Sequence, residues 1–383
     1  MRGHIKKRGK NSWSIVIDRG RDSEGKRRQT WITVQGKKGE AEDRLSEELA
    51  KLQAGTFVEP SNQTLEIYLE SWLKHLDTQG KALRTLVDYR HSCRRHLIPK
   101  LGHIPLQKLT TQTVEDYYAD RLEKGCLQHE GGLSRRTVVG HHKVLRQALG
   151  RAVRLRLISR NPCDDATPPS PVAANAKALE ESEMTAVLSA AKGTRLYMPI
   201  YLALSTGLRK GEILALKWKD IDGDHLTVNG TVEQAAGHLA IKTPKTKRSR
   251  RTMTLPSRAV QELRSHRAAQ NQERLLLGTH YQANDLVFPK GDGQIWPAKS
   301  FDGQHARAIR NAGIGRVRFH WYRHTHASQL LRMGENVKVV SERLGHASIM
   351  TTLDTYGHLL KGMQEGAAEK INQVLAEVEK NVG

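Results

Sequence analysis

Four prolines, Pro162, Pro168, Pro169 and Pro171, fall among small and polar residues and limit this chain more than any other feature. Proline lacks an N–H and fixes φ, so it continues neither a helix nor a central strand. The stretch 161–177 therefore reads as a linker. Helical periodicity lies on both sides, from Thr64 to about Leu157 and again from Leu179. A chain of 383 residues divided there does not share one core. At roughly 100–200 residues per domain it forms two or three.

Ahead of Thr64 the pattern is different. Trp13, Ile15 and Ile17 alternate with polar or smaller residues, Asp18 to Gly25 is turn-rich, and Trp31, Ile32 and Val34 follow. That is hairpin chemistry. Ala41, Leu45, Leu49 and Leu52 then recur at helical spacing, with Gly55 placed to end the helix. Residues 1–57 thus form a small sheet-plus-helix domain, and 62–160 a helical one. In the second, Leu65, Leu69, Trp72, Leu73 and Leu76 mark one helix and Arg84 to Leu97 another. Thr110 or Thr111 caps a third, and Ser134 a fourth. Residues 178–383 are helical apart from a β-like stretch between Leu226 and Leu255. The expected fold class is α+β: a mainly helical, multidomain protein.

Charge points to the partner. Lys and Arg number 62 against 40 Asp and Glu, a formal net charge of +22. Such a chain attracts polyanions, and double-stranded DNA leads, because phosphate neutralisation supplies most non-specific affinity. Lys6, Lys7, Arg8, Arg27 and Arg28 give the first domain a basic surface, and Lys247 and Arg250 do the same for the later β-like stretch. No membrane partner is expected, since the most apolar run, Leu196 to Leu208, is too short to span a bilayer. Cys93, Cys126 and Cys163 form neither a zinc spacing nor a disulfide framework, which fits a reducing cytoplasm.

Four local signals converge in the C-terminal half. Thr206-Gly207-Leu208-Arg209-Lys210-Gly211-Glu212 places an arginine just after a glycine turn, at the start of a helix. His320-Trp321-Tyr322-Arg323-His324-Thr325-His326 sets His320 and Arg323 on one helical face, where both can meet one phosphate. His320 and His324 also have metal-pair spacing, but the metalloprotease motif needs a glutamate where Trp321 stands. His324 and His326 read as structural residues. The third signal is Leu344-Gly345-His346 followed by Thr351 through His358, which contains Tyr356. The fourth is a basic hairpin, with Lys242, Lys245 and Lys247, then Arg248, Arg250 and Arg251.

In this order, these residues resemble the tyrosine recombinase (phage integrase) family from about Leu179 to Leu360. The N-terminal half is similar to the family's core-site-binding helical domain, preceded by the arm-site-binding sheet of mobile-element integrases. The resemblance implies that Tyr356 attacks the scissile phosphate to give a 3′-phosphotyrosine. Arg209 and Arg323 would hold the phosphate, His320 and His346 would hydrogen-bond it and assist proton movement, and Lys245 would protonate the leaving 5′-oxygen. Glu212 would support the first arginine. It also implies a homotetramer on DNA, a Holliday junction intermediate, and a separate excisionase and DNA-bending protein that set direction. Lys242 and Lys247 remain rivals for the acid. Tyr322 is a second tyrosine near the site, read as a packed aromatic. Two other readings are a housekeeping chromosome-resolving recombinase and a non-catalytic architectural DNA-binding protein.

The chemistry agrees. A phenol with pKa near ~10 needs cationic neighbours and a proton acceptor to act as a nucleophile. Fixed guanidiniums stabilise the charge that develops on phosphorus oxygens. The phosphotyrosine conserves bond energy, so no cofactor is expected. No acidic cluster suggests a two-metal site.

Overall fold

The computed structural model describes residues 3–21, 24–54, 57–127, 130–171, 177–243, 250–360 and 363–382. The chain forms two compact units, Met1–Ala173 and Ala174–Gly383.

The first unit opens with an antiparallel sheet of β1 (Gly3–Gly9), β2 (Ser12–Arg21) and β3 (Arg27–Gln35), in that order. The sequence reading had only the last two strands. β1 escaped it because Ile5 alone supplies apolar alternation there, as expected of an edge strand. Ile5 pairs with Ile15, and Ile15 with Ile32. Ile15 and Ile17 are fully buried with Phe57, against Leu45, Leu49 and Leu52 of α1 (Lys38–Gln53).

The helices of this unit follow the apolar pattern. α2 (Leu65–Thr78) starts at Thr64, whose hydroxyl accepts from the Ile67 N–H. α3 (Leu83–Ser92) widens into a π-turn at Cys93–Leu97 before α4 (Ile98–Leu101). Pro99 follows the turn and has no N–H to give back to the preceding carbonyls. α5 (Thr111–Lys124) is capped by Thr110 and α6 (Arg135–Arg154) by Ser134. Leu65, Leu69, Trp72, Val114, Tyr117, Val138, Leu145 and Leu149 fill the core. The proline-rich stretch begins as α7 (Pro162–Asp165), not as free linker. Asn161 caps it, and Cys163 and Ala166 join the same core.

The second unit contains α8 (Glu181–Ala191), α9 (Tyr197–Thr206) and α10 (Lys210–Ala215). A three-stranded sheet follows, ordered β4 (Ile221–Asp222), β5 (His225–Val228), β8 (Arg251–Thr254). A separate antiparallel hairpin joins β6 (Thr231–Ala235) to β7 (His238–Lys242). Then come α11 (Ser257–Leu277), α12 (Ala298–Asn311), α13 (His320–Arg332), α14 (Val337–Leu344), α15 (Ile349–Tyr356) and α16 (Met363–Val382). α9 is apolar on nearly every side, as a central helix must be. It packs against α8, α10, α11 and α13. Ile200, Leu202, Leu208, Ile213, Leu226, Phe301 and Tyr322 are among the core residues. A smaller cluster of Ala327, Leu331, Val340 and Leu344 seats the ring of Tyr356. No helix among the described residues is long and apolar enough to cross a membrane.

Candidate active site

Two left-handed glycines frame the site. Gly207 ends α9 with φ +68°, and Gly345 ends α14 with φ +65°. A Cβ on Gly207 would lie 2.8 Å from Leu344, and one on Gly345 would lie 2.8 Å from the Arg251 guanidinium. These tight ends turn carbonyls inward. Arg323 donates to the Gly207 and Leu344 carbonyls, both at 2.8 Å. Bonds from a charged donor contribute about 1.5–3 kcal/mol each, so this buried arginine is held before any substrate arrives. Burial, then the charge of Arg209, pulls Arg323 down to about 9, which leaves it cationic at neutral pH.

Arg209 stands at the N-cap of α10. Its backbone N–H and its Nη1 each donate to the Glu212 carboxylate at 2.9 Å, and Nη2 reaches the Gly345 carbonyl at 3.3 Å. Glu212 also accepts from Arg251 at 3.0 Å. Burial opposes ionisation of Glu212, but the hydrogen bond and charge of Arg251, with Arg209, hold its carboxyl below the usual range. Arg251 bonds onward to the Arg343 carbonyl at 2.7 Å. One carboxylate thus ties two guanidiniums, and these join α10 to β8 and α14.

The histidines stand around this frame. His346 is fixed through Nδ1 by the Thr352 hydroxyl at 2.8 Å. Burial, then Arg323 and Arg209, hold it down to about 4. His320 is shifted the same way, by desolvation and the same two arginines. Tyr356 ends α15, with its ring buried and its hydroxyl 2.6 Å from His324 Nδ1. Burial pushes Tyr356 up to about 12.

Arg209, Glu212, His320, Arg323, His346 and Tyr356 therefore gather in one place. Lys245 and Lys247 lie outside the described residues. Lys242 is ion-paired with Glu233 at 2.8 Å, and exposed Arg250 bonds Asn229 at 2.9 Å. Tyr322 points away into the core, where its hydroxyl meets His305 Nε2 at 2.6 Å. His326 is structural, bonded to the Leu204 carbonyl at 2.9 Å. Among the described residues, no group of three or more His, Cys, Asp or Glu is arranged to hold a metal.

Three contributors escaped the sequence reading. Arg251 shares its strand face with buried Met253, and that parity was the available signal. His324 lies one turn beyond His320, on the same face. Thr352 gave no signal distinct from a packed threonine. In the first unit, Lys6, Lys7 and Arg8 are exposed on β1. Lys7 lies over the Trp13 ring at 5.8 Å and Arg8 over Trp31 at 5.5 Å. Arg27 donates to Asp18 at 2.8 Å, and Arg28 is 3.5 Å from Glu59.

Known families and proteins are similar to this chain. A model described as the phage integrase family matches residues 177–363. Another, described as phage integrase, N-terminal SAM-like domain, matches residues 64–121. A protein named tyrosine recombinase XerC-like, from Caldanaerobacter subterraneus subsp. tengcongensis, is 29% identical over 96% of this chain and 97% of its own. An integrase of Streptomyces ambofaciens is 29% identical over 90% and 88%. By fold, the chain is similar to the Tn1549 transposon integrase in complex with a circular intermediate DNA. That match has a TM-score of 0.67 and 20% identity, and covers 79% of this chain and 99% of the other. It is also similar to lambda integrase in a tetramer bound to a Holliday junction, with TM-score 0.56, 18% identity, and 90% and 95% coverage.

Proposed function

The chain belongs to the phage integrase family of tyrosine recombinases, a DNA-cutting and rejoining enzyme, and from that premise we propose that Tyr356 is the nucleophile with which it integrates or excises a mobile element. The observation that carries this reading is the convergence of Arg209, Arg323, His320 and His346 on the helix ends beside Tyr356. Only a substrate with a concentrated negative charge is complementary to so many cations and donors. A DNA phosphate supplies that charge.

In this reading the Tyr356 oxygen attacks phosphorus and displaces the 5′-oxygen, leaving a 3′-phosphotyrosine. Arg209 and Arg323 hold the non-bridging oxygens, and His320 and His346 bond them. Lys245 protonates the leaving oxygen; Lys242 is the weaker rival, since Glu233 already engages it. The exposed cations of β1 and β3 contact arm-site phosphates, and Lys247 and Arg250 contact DNA phosphates as well. Four copies act on two duplex sites, with a Holliday junction between the two exchanges. An excisionase and a DNA-bending protein set direction.

The test is a suicide substrate that traps the covalent complex. Wild type and Tyr322→Phe should give covalent product, and Tyr356→Phe none. Product surviving in Tyr356→Phe would exclude it as the nucleophile.

A further inference from the structure

Attack by Tyr356 requires its phenolic proton to go somewhere. His320 and His346 belong to the phosphate in the reading above, and a lysine serves the opposite oxygen. Among the described residues, the hydrogen-bond partner of the Tyr356 hydroxyl is His324, with Nδ1 at 2.6 Å. That lies within the reach a general base needs, about 2.6–3.2 Å. α13 carries His324 immediately after Arg323 and one turn beyond His320, whose ring meets it edge-on with centroids 4.7 Å apart. Tyr356 reaches it from α15, its ring 5.7 Å away. The groups facing His324 are thus His320 and Arg323 on its own helix and Tyr356 opposite. Burial, then His320 and Arg323, hold His324 down to about 4, so at neutral pH its ring is uncharged, and with its proton on Nε2 it presents Nδ1 as an acceptor.

We propose that His324 is a catalytic residue, the base that takes the Tyr356 proton during cleavage and returns it during rejoining. The inference rests on Tyr356 being the nucleophile. As the phenol oxygen bonds to phosphorus, its O–H bond breaks and the proton passes to Nδ1. The P–O5′ bond breaks, its electron pair leaves with the 5′-oxygen, and the separate acid protonates that oxygen. On rejoining, the 5′-hydroxyl returns its proton to the separate acid as its oxygen bonds to phosphorus, the bond from phosphorus to the Tyr356 oxygen breaks, and the imidazolium proton returns to that departing oxygen. No oxidant or cofactor enters.

The alternative is a clamp that only holds the tyrosine ring. Single-turnover cleavage by the full chain separates them, on a suicide duplex with an ordinary 5′-oxygen and on one with sulfur at that bridging position. A thiolate leaves without an acid, so sulfur compensates for loss of the acid but not of the base. His324→Ala and His324→Gln should cleave about 10²–10⁴-fold more slowly than wild type. Circular dichroism and duplex affinity should be unchanged. Sulfur should not restore the rate. Imidazole should partly restore His324→Ala, and its deficit should shrink about tenfold per pH unit as solvent base takes over. Cleavage by His324→Ala within threefold of wild type would overturn the proposal, as would a deficit flat in pH and indifferent to imidazole. So would rescue by sulfur equal to that of Lys245→Ala. Covalent product in Tyr356→Phe, or none in wild type, would instead remove the nucleophile reading and this inference with it.

Discussion

Replacing Glu212 with glutamine tests whether one carboxylate holds the cationic frame together. Glutamine keeps the shape and one acceptor oxygen but removes the charge between Arg209 and Arg251. Breaking a buried ion pair from one side costs about 3–5 kcal/mol, because the partner charge is left uncompensated. Glu212 and Arg251 side chains are 7% and 8% exposed, but Arg209 is 38% exposed and regains water. The expected loss is therefore near the lower end, ~3 kcal/mol. At roughly 2–4 °C per kcal/mol for a unit of this size, Tm of the Ala174–Gly383 unit should fall by about 6–12 °C. The pH dependence has a definite sign. Glu212 has a lowered folded pKa. Its contribution is complete above the unfolded carboxylate value, near ~4.3, and is lost as pH falls through the folded value. Calorimetry of the full-length protein should show the full gap between wild type and Glu212→Gln at pH 7, narrowing below about pH 4. A shift under about 2 °C at pH 7, or a gap that widens on acidification, would refute the reasoning.

Gly345→Ala should destabilise the protein by about 1–2 kcal/mol from the left-handed backbone alone, read by denaturant unfolding. It should also slow cleavage, because the new Cβ crowds Arg251 and moves the carbonyl that Arg209 uses. Tyr322→Phe should cost about 1–3 kcal/mol by leaving buried His305 without its partner. Its cleavage rate per folded molecule should equal wild type, and a loss of chemistry instead would return Tyr322 to the site.

The parts of the fold that rest on local chemistry were readable from the residues. Ser134 caps the helix it precedes, and of the pair Thr110 and Thr111 it is Thr110 that caps the other; each accepts an N–H in the structure. The apolar spacing of Leu65 through Leu76 marked a core face because a helix repeats every ~3.6 residues. What was hidden depends on distant partners. β1 is recognisable as a strand only once β2 pairs with it. Arg251 looks like one more basic residue of a hairpin until Glu212, 39 positions earlier, turns out to face it. His324 was read as structural because sequence spacing shows which helical face it occupies, not which residue meets that face. The second helix end that supports Arg323 was visible as a leucine-glycine pair, but the inward turn of its carbonyl was not.

The proton chemistry of the cleft follows from its charge. In the free protein His346 and His324 are each held down to about 4, by burial and by neighbouring cations. Arg323, Arg209, Arg251 and His320 face His346, and His320, Arg323 and the Tyr356 hydroxyl face His324. Such a histidine is a weak base. A phosphodiester anion among the guanidiniums offsets their charge, and an opposite charge nearby favours the protonated ring. Substrate binding should therefore raise both values, and by linkage binding should take up protons as pH falls toward 5. Calorimetric titration of a core-site duplex in two buffers of different ionisation enthalpy measures that uptake directly. Wild type should show it near pH 5.5, and His346→Ala should show less. Equal uptake in the two proteins, or proton release, would refute the idea. If the idea holds, the base that activates Tyr356 acquires its strength from the phosphate it acts upon, and the buried phenol stays protonated and inert until DNA fills the cleft.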